Sequence, residues 1–308
     1  MDEIFHITES QQFSRNDLDE LFNQADAMET LVKHRGVTDT LKDKVMVVLF
    51  YQPSTRTRLS FETAMSRLGG SYVSTENAME FSSHAKGESL EDTIQTVANY
   101  GDVIILRYHK EGGAKRAARV SPVPVINAGD GPGQHPTQSL LDMYTIRREF
   151  GSFEGLNITL VGDLKNGRTV HSLAYMLAKY PIGKICLVAP PSISMPQGLL
   201  DYLEKHGIDY NQSDSLAAVA PHADVVYSTR LQKEYFDDPR EFEAVQGKYV
   251  LSQDIVDTMR EKSIILHPLP RNEEIPYVVD HDPRARYFPQ VRNGLYMRMA
   301  LLNKVFGR

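Results

Sequence analysis

The sequence predicts an α/β fold: two doubly wound parallel-sheet domains with a cleft between them. Three observations predict it. Strand-like apolar runs alternate with stretches of helical period along the whole chain. The alternation restarts after a dense turn cluster, Asn127-Ala128-Gly129-Asp130-Gly131-Pro132-Gly133. The 308 residues are enough for two domains, at roughly 150 residues each.

Ser14-Arg15-Asn16-Asp17 reads as a helix start, and Leu18, Leu21, Phe22, Ala25, Met28 and Val32 follow at helical spacing. Val45–Phe50 is an apolar run that predicts a buried strand. Phe61, Ala64, Met65 and Leu68 form a helical stripe that stops at Gly69-Gly70. Residues 71–74 can form a short strand, and Leu90, Ile94, Val97 and Ala98 a further helical face. Residues 103–106 and 123–126 read as strands with a small-residue helix between them. The turn cluster then begins at Asn127, and a helix carrying Leu140, Leu141, Tyr144 and Ile146 follows.

The domain boundary is expected near residue 135, with that helix as a bridge. In the second set, strands are expected at 157–161, 184–188, 224–227 and 263–266. Leu199, Leu203, Leu216 and Val219 mark helices between them. Leu295, Met299, Leu302 and Val305 form the last helix.

Composition narrows the function. The 34 Lys and Arg against 40 Asp and Glu give a net charge of −6, unlike a dedicated nucleic-acid binder. A single cysteine, Cys186, excludes an intramolecular disulfide and cysteine-based metal sites. The ten histidines show no zinc-ligand spacing, so neither metal nor cofactor is expected. The longest apolar run, Val45–Tyr51, is far too short for a membrane span, and residues 1–10 lack a signal-peptide core. A cytoplasmic setting is expected.

Tyr51-Gln52-Pro53-Ser54-Thr55-Arg56-Thr57-Arg58 joins a buried strand to an amphipathic helix. A helix N-terminus offers unpaired N–H groups and a positive dipole end. Three hydroxyls and two arginines beside it make a strong chemical case for a phosphate or another dianion. One capping hydroxyl would explain Ser54 or Thr55 alone, not the set. Arg58, one turn deeper, can instead serve an internal ion pair.

Ser54-Thr55-Arg56-Thr57-Arg58 with Phe61-Glu62 resembles the carbamoyl phosphate signature of the aspartate and ornithine carbamoyltransferases. Further landmarks occur in the family's order. Ser82-Ser83-His84-Ala85-Lys86-Gly87-Glu88-Ser89, taken alone a solvated loop, resembles a mobile loop whose Ser and Lys enter the neighbouring subunit's site. Ser82 and Lys86 match, which implies a homotrimer with shared active sites.

Arg107 follows a strand, where a surface arginine is equally natural. The resemblance gives it the phosphate and the carbamoyl oxygen. His135-Pro136-Thr137-Gln138 matches the carbamoyl-binding element, with His135 donating to the carbonyl and Gln138 binding the amide.

On the second-substrate side, Gly162-Asp163-Leu164-Lys165-Asn166-Gly167-Arg168 lacks the G-x-G-x-x-G spacing of a nucleotide turn. An arginine there suits a carboxylate. Arg230, in Ser228-Thr229-Arg230-Leu231-Gln232, likewise follows a strand. By resemblance, Arg168, Arg230 and Gln232 bind the carboxylates of L-aspartate, and Lys86 assists.

His267-Pro268-Leu269-Pro270-Arg271 reads as a rigid turn with unpaired carbonyls. The family uses the carbonyls at Pro268 and Leu269 to accept from the carbamoyl amide and the incoming amine. Ornithine-specific members typically carry cysteine at the position of Pro268, so aspartate is the expected acceptor.

The resemblance assigns residues 1–135, joined by a C-terminal helix 290–308, to carbamoyl phosphate, and residues 136–289 to aspartate. It implies catalysis by Arg56, Thr57, Arg107 and His135, direct amine attack, and a place in pyrimidine synthesis. Regulatory chains or a dihydroorotase stay open as further partners.

Overall fold

The longest aliphatic runs read in the sequence are central strands buried on both faces, as parallel strands covered by crossover helices are. A computed structural model describes residues 5–307 apart from 232–239, 241 and 244–246. β1 (Val45–Phe50), β2 (Ser71–Thr75), β3 (Val103–Tyr108) and β4 (Val125–Asp130) form an all-parallel sheet in the order β2-β1-β3-β4. β5 (Asn157–Val161), β6 (Lys184–Val188), β7 (Tyr210–Ser213), β8 (Val225–Ser228) and β9 (Ile264–Leu266) form a second, in the order β7-β6-β5-β8-β9. This is the α/β class expected, with two parallel sheets.

In chain order the helices are α1 (Arg15–His34), α2 (Thr55–Arg67), α3 (Ala78–Phe81), α4 (Leu90–Val97) and α5 (Gly113–Val120). They continue as α6 (Pro136–Phe150), α7 (Arg168–Leu177), α8 (Gln197–Lys205), α9 (Leu216–Val219), α10 (Gln253–Thr258) and α11 (Tyr287–Val305). Local chemistry sets their ends. The Ser14 hydroxyl accepts from the Asp17 N–H at 3.1 Å, and the Asp17 carboxylate accepts from the Ser14 N–H at 2.9 Å, which closes a box at the start of α1. At the end of α2, Gly69 adopts φ +82°, and a Cβ there would lie 2.4 Å from the Thr38 carbonyl oxygen.

The chain divides into two units, Met1–Leu141 with Val291–Arg308, and Asp142–Gln290. The division falls inside α6 and inside α11. α11 begins at Tyr287, earlier than the expected residue 290, and ends at Val305. One core in the first unit gathers Val47, Leu49, Ile104, Leu106 and Val125 with Leu90, Ile94 and Ala117 of its helices. One in the second gathers Val161, Val188, Val226 and Ile265 with Leu216, Val256 and Tyr287. Each fully buried aliphatic side chain stabilises its unit by about 1.5–3 kcal/mol.

Two local expectations need correction. Asn127–Asp130 is not turn but the end of β4, and the turn starts at Gly131. The poor strand formers there are held by outside partners: the Asn127 N–H donates to Ile7 and its side chain to Thr8. β7 had no sequence signal, because Tyr-Asn-Gln-Ser is a polar edge strand with no apolar face to bury.

In both sheets the first strand lies inside. The chain winds outward to one side of it and then returns to the other. The winding therefore reverses between β1 and β3, and again between β5 and β8. Crevices for ligands form at the carboxyl ends of strands at such points.

Candidate functional site

In the first unit the reversal point carries the hydroxyl-rich turn. Ser54 is the N-cap of α2, yet its side chain makes no capping bond, and α2 has no acidic residue in its first turn. The helix thus keeps free N–H donors and its positive end. Arg56 lies in that first turn and is half-buried. No acidic side chain among the described residues pairs with it, and burial pushes its guanidinium pKa down. A desolvated, unpaired cation on the positive end of a helix is costly unless an anion joins it. Arg58 behaves otherwise: it pairs with Glu62 at 3.2 Å and Glu76 at 3.1 Å.

Arg107 stands opposite Phe50 in the β1–β3 register, and the Tyr51 N–H donates to its carbonyl at 2.9 Å. The backbone therefore sets Arg107 at the base of the Ser54 turn. Its Nη1 donates to the Ala128 carbonyl at 3.1 Å. After β4, the Asp130 carboxylate accepts from Gly112 and Gln134 N–H groups at 3.1 and 2.8 Å, which pins the turn leading to His135.

His135 is buried, with Nε2 3.5 Å from Thr57 Oγ1 and Nδ1 3.4 Å from Thr137 Oγ1. The Gln138 N–H donates to the His135 carbonyl at 3.0 Å, and Gln138 is buried in the first turn of α6. Ser54, Thr55, Arg56, Thr57, Arg107, His135 and Gln138 thus stand at the carboxyl ends of three consecutive neighbours, β1, β3 and β4.

Ser82 and Lys86 lie apart from this group in the sequence, in the segment after β2. Ser82 donates to the Ala78 carbonyl. Lys86 is exposed on a 3₁₀ turn, Ser83–Lys86, and is not joined to Arg56, Arg107 or His135 by an ion pair or hydrogen bond.

In the second unit the reversal point lies between β5 and β8. Gly162, at φ +121°, lets the two strand ends meet, since a Cβ there would lie 2.3 Å from the Thr229 carbonyl oxygen. Thr229 bonds back through its N–H and hydroxyl to the Val161 carbonyl, at 2.9 and 3.2 Å. The fully buried Asp163 accepts from the Asn166 N–H at 2.9 Å and shapes the turn before Arg168, the first residue of α7. Arg168 and Arg230 are both half-buried and sit on adjoining turns. Gln232 lies outside the described residues.

The turn after β9, next to β8, holds Pro268 and Leu269, both half-buried. Leu269 has φ +56°, and the Leu269–Pro270 peptide is cis. A cavity of about 230 Å³ opens beside this edge, lined in part by Thr229, Leu231, Tyr249 and Glu274.

Arg271 turns to a structural role: it pairs with Asp280 and lies 4.6 Å from the Tyr277 ring centre and 5.1 Å from that of Tyr287. Sequence reasoning missed the residues that support this turn. His267 is buried between the Leu269 N–H and Glu274, and behind it stand Gln290, Asp142 and Tyr227. Burial, and then the Asp142 carboxylate, push the Tyr227 hydroxyl pKa well up. Only the position of His267 beside two prolines hinted at a role; nothing in the sequence couples Asp142 to Gln290.

The family model for the carbamoyl-P binding domain of aspartate/ornithine carbamoyltransferase matches residues 6–148, and the Asp/Orn binding domain of the same family matches residues 154–305. The chain belongs to the aspartate/ornithine carbamoyltransferase family. Curated family members include a chloroplastic aspartate carbamoyltransferase of Arabidopsis thaliana, 52% identical over 97% of this chain and 77% of its own length. The aspartate carbamoyltransferase catalytic subunit of Methanopyrus kandleri is 51% identical over 96% of this chain and 95% of that one.

Among solved structures of the family, aspartate transcarbamoylase of Trypanosoma cruzi in complex with carbamoyl phosphate and aspartate superposes with a TM-score of 0.93. It is 42% identical and covers 97% of this chain and 95–96% of its own, as does its complex with carbamoyl phosphate alone. Among the described residues no helix is long and apolar enough to cross a membrane. No group of three or more His, Cys, Asp or Glu side chains among those residues is placed to hold a metal ion.

Proposed function

We propose that the chain transfers the carbamoyl group of carbamoyl phosphate to the α-amine of L-aspartate by direct attack, giving N-carbamoyl-L-aspartate and phosphate. The observation that carries this reading is Arg56: a half-buried guanidinium without a carboxylate partner among the described residues, at an uncapped helix N-terminus, in a chain of net charge −6. Such a position carries an energetic cost that a bound anion relieves.

Carbamoyl phosphate belongs to the first unit. Ser54, Thr55, Arg56 and the α2 N–H groups hold its phosphate, and Arg107 spans phosphate and carbonyl oxygen. The side-chain oxygen of Gln138 accepts from its amide, and the carbonyls of Pro268 and Leu269 accept from that amide and from the incoming amine. L-Aspartate belongs to the second unit, where Arg168, Arg230 and Gln232 take its carboxylates as two-pronged partners.

The amine lone pair forms the new N–C bond, and the carbonyl π electrons move to oxygen. Thr57, Arg107 and His135 donate to that oxyanion, each worth about 3 kcal/mol when well placed. A neutral imidazole suffices for His135, since it can donate one hydrogen bond. Collapse breaks the C–O bond to phosphate, which leaves with the electron pair and accepts the amine proton. No covalent enzyme intermediate is needed. Much of the remaining rate comes from holding the two reactants in place.

Ser82 and Lys86 act on the site of a neighbouring copy, in a cytoplasmic homotrimer whose reaction feeds pyrimidine synthesis. The exposure of Lys86 leaves it accessible to a neighbouring copy and supports that sharing.

The test is a colorimetric assay for the ureido product with carbamoyl phosphate and a panel of amino acids, together with the mass of the chain in solution. Aspartate alone should be carbamoylated. Mixing inactive Lys86→Ala and Arg56→Ala chains should restore activity through hybrid sites. No recovery after demonstrated chain exchange would sink the shared site, and activity with ornithine but not aspartate would sink the acceptor assignment.

A further inference from the structure

We propose that His267 is a positioning residue: with its Nε2–H turned to Glu274 and its Nδ1 left as an acceptor, it fixes the Pro268–Leu269 peptide so that its carbonyl is aimed at substrate N–H groups. The proposal rests on the acceptor role assigned above to those carbonyls. Leu269 sits at φ +56°, a region that a branched L residue rarely adopts. Its N–H donates to His267 Nδ1 at 2.7 Å. A ring nitrogen that accepts a backbone N–H carries no proton, so the ring proton is on Nε2. Nε2 lies 2.9 Å from Glu274 Oε1 and donates to it.

The ring is 1% exposed, so water cannot replace either contact. Its backbone is tied as well. The His267 N–H donates to Gln290 Oε1 at 3.0 Å, and Gln290 Nε2 donates to Asp142 Oδ1 at 2.6 Å. Asp142 Oδ2 accepts from the Tyr227 hydroxyl at 2.8 Å. The carboxylate of Glu274 is fixed in turn by the Asn272 N–H at 3.1 Å. A buried chain of bonds, anchored on α11, α6 and β8, therefore ends on one backbone N–H of this turn.

The consequence follows from the planar peptide. The N–H of Leu269 and the C=O of Pro268 belong to one peptide unit and, in a trans peptide, point in opposite directions. An imidazole that grips the N–H from inside turns the carbonyl of the half-buried Pro268 outward. The next peptide has no N–H, because Pro270 supplies its nitrogen, so the Leu269 carbonyl inherits its direction from the same grip. A histidine serving only to fill the core would not need its acceptor nitrogen on this N–H.

Carbamoyl phosphate and acetyl phosphate differ by NH₂ against CH₃, so their affinity ratio reads acceptance of the amide N–H. Full-length chains are titrated with each by calorimetry, and with inorganic phosphate as a control for the Ser54 turn. The wild-type protein should favour carbamoyl phosphate by about tenfold, the worth of one or two hydrogen bonds.

His267→Gln reaches Glu274 but withdraws the acceptor from Leu269, and should lower the ratio severalfold, to the share that Gln138 keeps, with the phosphate affinity unchanged. His267→Asn places an oxygen near the Nδ1 position and should keep most of the preference. Glu274→Ala, which frees the ring, should lower the ratio as well and decides the matter if His267→Gln does not fold. A folded His267→Gln or Glu274→Ala protein with the wild-type ratio would overturn the positioning role. A wild-type ratio near one would instead overturn the acceptor role of the two carbonyls, and the inference with it.

Discussion

Arg56→Gln should separate binding from stability with opposite signs. In the unliganded protein Arg56 has no acidic partner among the described residues, and burial already disfavours its charge. It also sits in the first turn of α2, where a cation opposes the helix dipole at a cost of about 0.3–1 kcal/mol. Replacing it by a neutral side chain of similar reach removes both penalties and leaves no buried group unpaired. The melting temperature should therefore hold or rise by about 1–3 °C. Catalysis should collapse. Two charge-assisted bonds to phosphate, at about 1.5–3 kcal/mol each, correspond to roughly 10²–10⁴-fold in kcat/KM.

Arg58→Gln, two residues on, is the control. It strips the largely buried Glu62 of its partner and should cost about 1–3 kcal/mol of stability. Activity should fall only as far as folding does. The assay is thermal unfolding of both variants beside the colorimetric rate. Arg56→Gln less stable than wild type by more than about 1 kcal/mol, or active within about fivefold, would refute the reasoning.

Gly162→Ala should cost about 2–5 kcal/mol, from a backbone at φ +121° and a methyl 2.3 Å from the Thr229 carbonyl. Urea unfolding measures the loss, and the KM for aspartate should rise while inorganic phosphate binding does not change. Asp282 accepts from Arg284 Nε at 2.8 Å, Arg284 Nη2 at 2.7 Å and the Arg284 N–H at 2.9 Å, and the side-chain bond to Arg284 holds its pKa below the ordinary carboxylate value. Since the folded pKa lies below the unfolded one, its stabilisation is complete above about pH 5 and lost as the pH falls through the folded value. Asp282→Asn should cost about 1–3 kcal/mol at pH 7 and progressively less as the pH falls through the folded value, so its melting curve against pH should be flatter than wild type.

Much of the fold was legible because buried parallel strands write themselves as apolar runs. Val45–Phe50 and Asn157–Val161 could hardly be anything else, and Gly69-Gly70 marked a helix end through the backbone it needs. β7 and the last residues of β4 were not legible. An edge strand buries no face, and Asn127 and Gly129 become strand only because Ile7 and Thr8 arrive from the other end of the chain. At the site, the residue types were readable and their partners were not. Two arginines stand two positions apart in Ser54–Arg58, but only packing shows that Arg58 has Glu62 and Glu76 while Arg56 has no acidic partner among the described residues. His267 looked like part of a rigid turn, and its grip on Leu269 depends on residues from Tyr227 to Gln290 that no local pattern connects.

The sequence by itself determined the α/β class, the hydroxyl- and arginine-rich helix start at Ser54 and the membership of a carbamoyltransferase family, because periodicity, helix-end chemistry and motif order are local properties of the chain. Only the tertiary structure decided the strand order, and with it the points where the winding reverses between β1 and β3 and between β5 and β8. Strand order is a choice among long-range pairings whose local patterns are alike. It is this choice that sets Arg107 beside the Ser54 turn and Arg168 on the turn adjoining Arg230.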